Sequence, residues 1–132
     1  MAHSIQVLNG KSELIGDLDL LVIIGFALPV IRNSKQFASL SDLAKDWQMA
    51  VDYYGPGTIS LKLKRLVDDP ALVPVLAAVL DNVFQQVDRY GETIPADLLN
   101  KNMPVPGVLF HDFNTSSLRD AIQRLQALVT KK

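Results

Sequence analysis

Leu20-Leu21-Val22-Ile23-Ile24-Gly25-Phe26-Ala27-Leu28 could be the centre of a membrane span, the core of a secretory signal or a helix buried inside a protein, and that choice decides the fold. The uncharged stretch from Leu20 to Ile31 falls short of the roughly 20 apolar residues a spanning helix needs. A secretory signal wants a basic segment ahead of the run and small residues after it. Here Asp17 and Asp19 precede it, and Val30-Ile31-Arg32 follow. The run is therefore read as a helix buried on nearly every side, Asp17 and Asp19 suiting the positive end of its dipole. A cap is expected near Ser12 or Asp17, and Pro29 is expected to kink or end the helix. The reading carries with it a cytoplasmic location and no membrane insertion.

The flanks supply the walls. Ahead of the run, Ser4 to Leu8 alternates, with Ile5 and Val7 on one face and Ser4 and Gln6 on the other, and then meets Asn9-Gly10. Residues 1–11 thus read as a short strand or an ordered arm ending in a turn. Behind it, Ser39 and Asp42 form a Ser-x-x-Asp capping box, followed by Leu40, Leu43, Ala44, Trp47, Ala50, Val51 and Tyr54 at helical period. Gly55-Pro56-Gly57 ends that helix. Thr58 to Arg65 fits either an alternating strand or a short helix capped by Thr58 or Ser60, with the helix preferred because the apolar pattern continues to Val67. Asp69-Pro70 opens a long helix striped by Val73, Leu76, Ala77, Leu80, Val83, Phe84 and Val87, whose regular part begins near Pro74. A brief helix follows Pro95. Met103 to Phe113 reads as an apolar loop or edge strand, and a last helix is capped by Asn114 or Thr115. Leu118, Ala121, Ile122, Leu125, Leu128 and Val129 face inward from it, and Lys131 and Lys132 complement its dipole.

The expected fold is mainly α: one domain over residues 1–132, a bundle-like array of about five helices with a minor β element at the N-terminus or near residues 105–113. A hydrophobic fraction of 48% with 20% charged residues suits a globular chain of this size, which needs neither metal nor disulfide to hold it. The chain has no cysteine, which excludes a disulfide framework, thiolate-ligated zinc and a cysteine nucleophile. With 13 Lys and Arg against 14 Asp and Glu, general electrostatic capture of nucleic acid or anionic lipid is disfavoured.

Motifs for chemistry are sparse. Gly55-Pro56-Gly57 lacks the spacing of a phosphate loop or a dinucleotide fingerprint. His3 and His111 are the only histidines, and no helical His or Glu partner supports His111-Asp112 as a metal or acid–base pair. Neither catalysis nor a cofactor is expected. Three segments instead combine aromatic rings with charge, glycine and proline: Asp52 to Gly57, Asp88 to Glu92, and Pro104 to Phe113. Tyr and Arg give large contact area with a polar handle, so Tyr53, Tyr54, Arg89, Tyr90, His111 and Asp112 are the expected contact residues for another protein. The expected role is a non-catalytic binding module of bacterial type: an adaptor, a chaperone-like accessory factor, or an inhibitor or immunity-type protein that masks its partner. One alternative is a helix-turn-helix DNA-binding regulator using residues 39–67, with Lys62, Lys64 and Arg65 as its cations. The length of the first helix and the Gly-Pro-Gly turn argue against it. Another is a small-ligand pocket around His111 and Asp112. Leu72, Val75 and Val79 beside the main stripe of residues 70–87 point to a deeply buried helix or a homodimer seam.

Overall fold

A computed structural model describes residues 2–130 and places the decisive run at the centre of a mainly helical molecule. In chain order the elements are β1 (His3–Leu8), β2 (Lys11–Gly16), α1 (Asp17–Arg32), a 3-10 helix (Lys35–Leu40), α2 (Ser41–Asp52), α3 (Lys64–Asp68), α4 (Leu72–Arg89), β3 (Thr93–Ile94), α5 (Ala96–Asn102), β4 (Phe113–Asn114) and α6 (Thr115–Thr130). Leu20 through Ile24 are all buried, and five consecutive residues at about 100° per step leave no outer face on that part of α1. The 3-10 helix, α2, α4, α6 and β2 pack around it. Each enclosed aliphatic side chain contributes about 1.5–3 kcal/mol. Among the described residues no helix is long and apolar enough to cross a membrane.

The expected stripes form the walls. Leu43, Ala44, Trp47 and Val51 of α2 face inward, as do Leu76, Leu80, Val83 and Val87 of α4 and the six named positions of α6. Leu72 and Val79, on the flank of the α4 stripe, are buried within the chain itself. Arg119 near the start of α6 bonds Asp88 near the end of α4 at 3.2 Å, so these two helices run antiparallel. Pro74 falls in the first turn of α4, where its missing N–H has no intrahelical acceptor to lose. Asn114 caps α6, its Oδ1 accepting the Ser116 N–H at 2.7 Å. Lys131 and Lys132, expected to complement the α6 dipole, lie outside the described residues.

Several local expectations are corrected. Ser12 belongs to a second strand, because Asn9 (φ 53°) and Gly10 (φ 78°) form a two-residue turn with both central residues at positive φ. Such a turn matches strand twist and closes a tight antiparallel hairpin, with Leu8 opposite Lys11 and Ser4 opposite Ile15. The Ser39–Asp42 box does not form: Ser39 lies in the 3-10 helix, and Ser41 N–H bonds the Ala38 carbonyl. The chain enters α2 already helical, so its first donors are met by the preceding turn. Pro29 neither ends nor breaks α1, which continues to Arg32 with Asn33 N–H on the Pro29 carbonyl at 2.9 Å. The ring sits exposed near the last turn, while Leu28 and Ile31 on either side are buried and hold that turn in place.

The preferred helix over 58–65 is also corrected. Thr58 to Leu63 is irregular, and helix begins only at Lys64. Ile59 and Leu61 are both buried with exposed Ser60 between them, as alternation in an extended chain gives, and the chain then turns at Lys62 so that buried Leu63 leads into α3. The minor β elements appear in both expected places. Besides the N-terminal hairpin, Val105 pairs with Val108 across Pro106-Gly107, and β3 pairs antiparallel with β4.

Candidate functional site

The inward face of the hairpin mixes buried Leu8 and Ile15 with two polar residues of β1. Ser4 and Gln6 are each 2% exposed, whereas Ile5 is 60%, Val7 56% and Leu14 53% exposed. Burying polar side chains is tolerable only when their hydrogen bonds are met. Here they are met by the irregular segment after α2. The Gln6 amide donates to the Ile59 carbonyl at 2.8 Å and accepts the Leu61 N–H at 2.8 Å, standing in for the missing neighbour strand. Ser4 Oγ accepts the Ile59 N–H at 3.1 Å, and Trp47 Nε1 donates to the Leu61 carbonyl at 2.8 Å.

Asp17 ties this arrangement to α1 and α2. Its carboxylate accepts from Ser4 Oγ at 2.5 Å, Tyr54 Oη at 2.7 Å and Gly57 N–H at 2.8 Å. Burial pushes its pKa up, but these three donors outweigh that and hold it below the usual carboxylate value. Tyr54 is pushed the other way, to about 12, by burial and by the bond to the charged Asp17. The helix-dipole role expected of Asp17 is therefore secondary to its place as a buried junction. Asp19, half-buried, is raised by its burial, with the Ser117 hydroxyl bond at 3.1 Å opposing.

The outward face of the hairpin has an unusual edge. Strand pairs alternate between bonded and non-bonded, and counting from the Leu8–Lys11 pair at the turn makes Val7–Ser12 and Ile5–Leu14 the non-bonded ones. The backbone groups of Ile5 and Val7 therefore point away from β2, and among the described residues no other hydrogen bond reaches them. The opposite edge is partly closed, because Arg124 Nη1 donates to the Leu14 carbonyl at 2.8 Å. β1 carries no lysine, proline or bulge of the kind that usually protects an edge. Beside it, exposed Lys62 and Lys64 follow the segment that Gln6 holds.

The residues expected from sequence are dispersed over three places. Tyr53 is 79% exposed, while Tyr54 is half-buried with its hydroxyl committed to Asp17. Arg89 is exposed, and the Tyr90 ring packs on Phe26 at a centroid distance of 6.1 Å. His111 is exposed, and Asp112 Oδ1 accepts the Ala96 N–H at 2.9 Å, serving the start of α5 rather than that of α6. Among the described residues no hydrogen bond, ion pair or ring contact joins one of these places to another.

His111 and Asp112 line a shallow cleft of about 280 Å³ with Asp19, Phe113 and Ser117. His111 makes no hydrogen bond to Ser117 or Asp19 there. No group of three or more His, Asp or Glu side chains among the described residues could hold a metal ion. Of the cations named for DNA contact, Lys62 (φ 55°) precedes the five-residue α3, and Arg65 is paired with Asp46 at 2.6 Å.

No family model, curated protein or solved structure matches this chain.

The hairpin was hidden in the sequence by its own regularity. Strict alternation marks Ser4–Leu8 as a strand but does not say which face is inside, and the partners that bury Gln6 lie more than fifty residues away.

Proposed function

We propose that the chain is a non-catalytic protein-binding module that receives an extended segment of a partner along β1. The observation that carries this is the inverted strand: three large aliphatic side chains stand outward beside backbone groups with no bonds, while the polar residues are spent inside. A strand added at such an edge gains main-chain hydrogen bonds from Ile5 and Val7 and apolar contact with Ile5, Val7 and Leu14. Exposed Lys62 and Lys64 beside the edge favour a segment that also carries acidic residues. Tyr53 extends the surface past the other end of β1, because the loop it begins is anchored beside His3 through the Tyr54 and Gly57 bonds to Asp17.

Peptide display against the immobilised full chain tests the reading. Enriched peptides alternate apolar and acidic residues, and bind at least about tenfold more weakly to an Ile5→Lys/Val7→Lys variant that keeps its helical circular dichroism. Absence of enrichment, or binding that the folded double variant leaves unchanged, overturns it. Tyr54 is not substituted in this test, since removing its ring unseats Asp17 and confounds any binding measurement.

A further inference from the structure

A second surface, remote from β1 in the packing order, concentrates positive charge. The end of α1, the 3-10 helix and one face of α2 border an open cleft of about 620 Å³. Arg32, Lys35 and Lys45 line it together with Asn33, Ser34 and Ser41, and no carboxylate does. The chain as a whole carries a net charge of −1, so this grouping is not a reflection of its composition.

The helical period of α2 explains the segregation. Ser41, Ala44 and Lys45 fall at i, i+3 and i+4 and turn toward the cleft. Asp42 and Asp46, also four apart, face another direction, where Asp46 pairs with Arg65 at 2.6 Å and Asp42 adds to the field on the same guanidinium. Arg32, Lys35 and Lys45 take part in no ion pair among the described residues. The side chains of Asn33, Ser34 and Ser41 likewise hold no hydrogen bond there. Buried Ile31 and Ala44 form an apolar floor.

We propose that this cleft binds a phosphate-bearing small molecule of about nucleotide size. Three cations call for a ligand with more than the single charge of a carboxylate. A guanidinium offers paired donors to two phosphate oxygens, two ammonium groups add mobile point charges, and the hydroxyls and the amide meet the remaining acceptors. A single phosphate group leaves most of the cleft empty, and the floor of Ile31 and Ala44 accommodates the body attached to it. The site is independent of the β1 surface and survives the failure of that reading.

The test is an amide NMR titration of the full chain with ADP and, separately, with inorganic pyrophosphate at low and moderate salt. The expected result is saturable shifts centred on residues 31–45 that weaken with added salt. Lys35→Ala/Lys45→Ala lowers affinity at least about tenfold, and Lys62→Ala/Lys64→Ala changes it less than about twofold. Both pairs are exposed, so the variants keep the wild-type spectrum elsewhere. Shifts scattered over all lysines, binding that the Lys35/Lys45 variant retains, or no saturation at millimolar ligand overturns the assignment. Binding to anionic phospholipid vesicles or duplex DNA without a saturable response to either soluble phosphate overturns it as well.

Discussion

Replacing Gln6 by leucine puts an apolar side chain of similar length where sequence intuition would welcome one, and the structure requires that it destabilise the protein. The substitution removes the donor to the Ile59 carbonyl and the acceptor of the Leu61 N–H, both in buried bonds of 2.8 Å. Each buried backbone group left unpaired costs about 1–3 kcal/mol, so the pair costs about 2–6 kcal/mol. Burying leucine in place of an amide returns about 1.5–3 kcal/mol. Taking the middle of each range, about 4 kcal/mol lost against about 2 kcal/mol returned, the net expected loss is about 2 kcal/mol, or roughly 8 °C in Tm for a domain of this length. The reciprocal change, Ile5→Ser/Val7→Ser, alters side chains that are more than half exposed, and each is expected to shift stability by no more than about 0.5 kcal/mol. Urea unfolding followed by far-ultraviolet circular dichroism measures all three proteins on one scale. A Gln6→Leu variant within about 0.5 kcal/mol of wild type, or a double serine variant less stable than it, refutes the inverted strand and the binding surface built on it.

Three further outcomes follow from the junction and the core. Asp17 has a lowered folded pKa, so its contribution is complete above the ordinary carboxylate range and is lost as the pH falls through that folded value. Asp19, held high by burial, acts in the opposite sense, so the measurement is the difference between wild type and Asp17→Asn in urea melts from pH 7 downward; the gap narrows with acid, and a constant gap contradicts the network. Tyr54, raised to about 12, stabilises fully below its ordinary value of 10, and that contribution disappears as the pH rises through 12; an absorbance titration of Tyr54→Phe lacks the component ionising there. At Gly25 an added Cβ would lie 2.5 Å from Met103 Sδ and 3.0 Å from its Cβ, so Gly25→Val costs about 1–3 kcal/mol in thermal unfolding, and Met103→Ala in the same chain recovers part of it. Equal, additive losses in that pair contradict the close approach.

The helices were legible because their information is local. The buried run of α1, the stripes of α2, α4 and α6 and the Asn114 cap each follow from spacing within a few residues, as does the Asn9-Gly10 turn. The misreading of residues 58–65 arose where a side chain from far along the chain replaces a backbone partner, whereas Ser12, the Ser39–Asp42 box and Pro29 turned on local geometry. Gln6 holds residues 59 and 61 extended against their helical pattern, and Asn100 clamps both the N–H and the carbonyl of Phe110 at 2.8 Å in the apolar loop. Such bonds leave no periodic trace, since one amide at either end suffices.

The candidate surfaces divide along the same line. Sequence alone determined that this is a cysteine-free, mainly helical chain with a central buried helix, because side-chain type and period decide which faces must leave water. It also named Tyr53 as an expected protein contact, and Lys62 and Lys64 only as cations of the DNA-binding alternative. Only the tertiary structure decided which face of β1 points outward, which of the aspartates is a buried junction, and that Arg32, Lys35 and Lys45 share one cleft. Those three facts depend on groups brought together across tens of residues, in an arrangement that leaves no buried side-chain nitrogen or oxygen unpaired among the described residues.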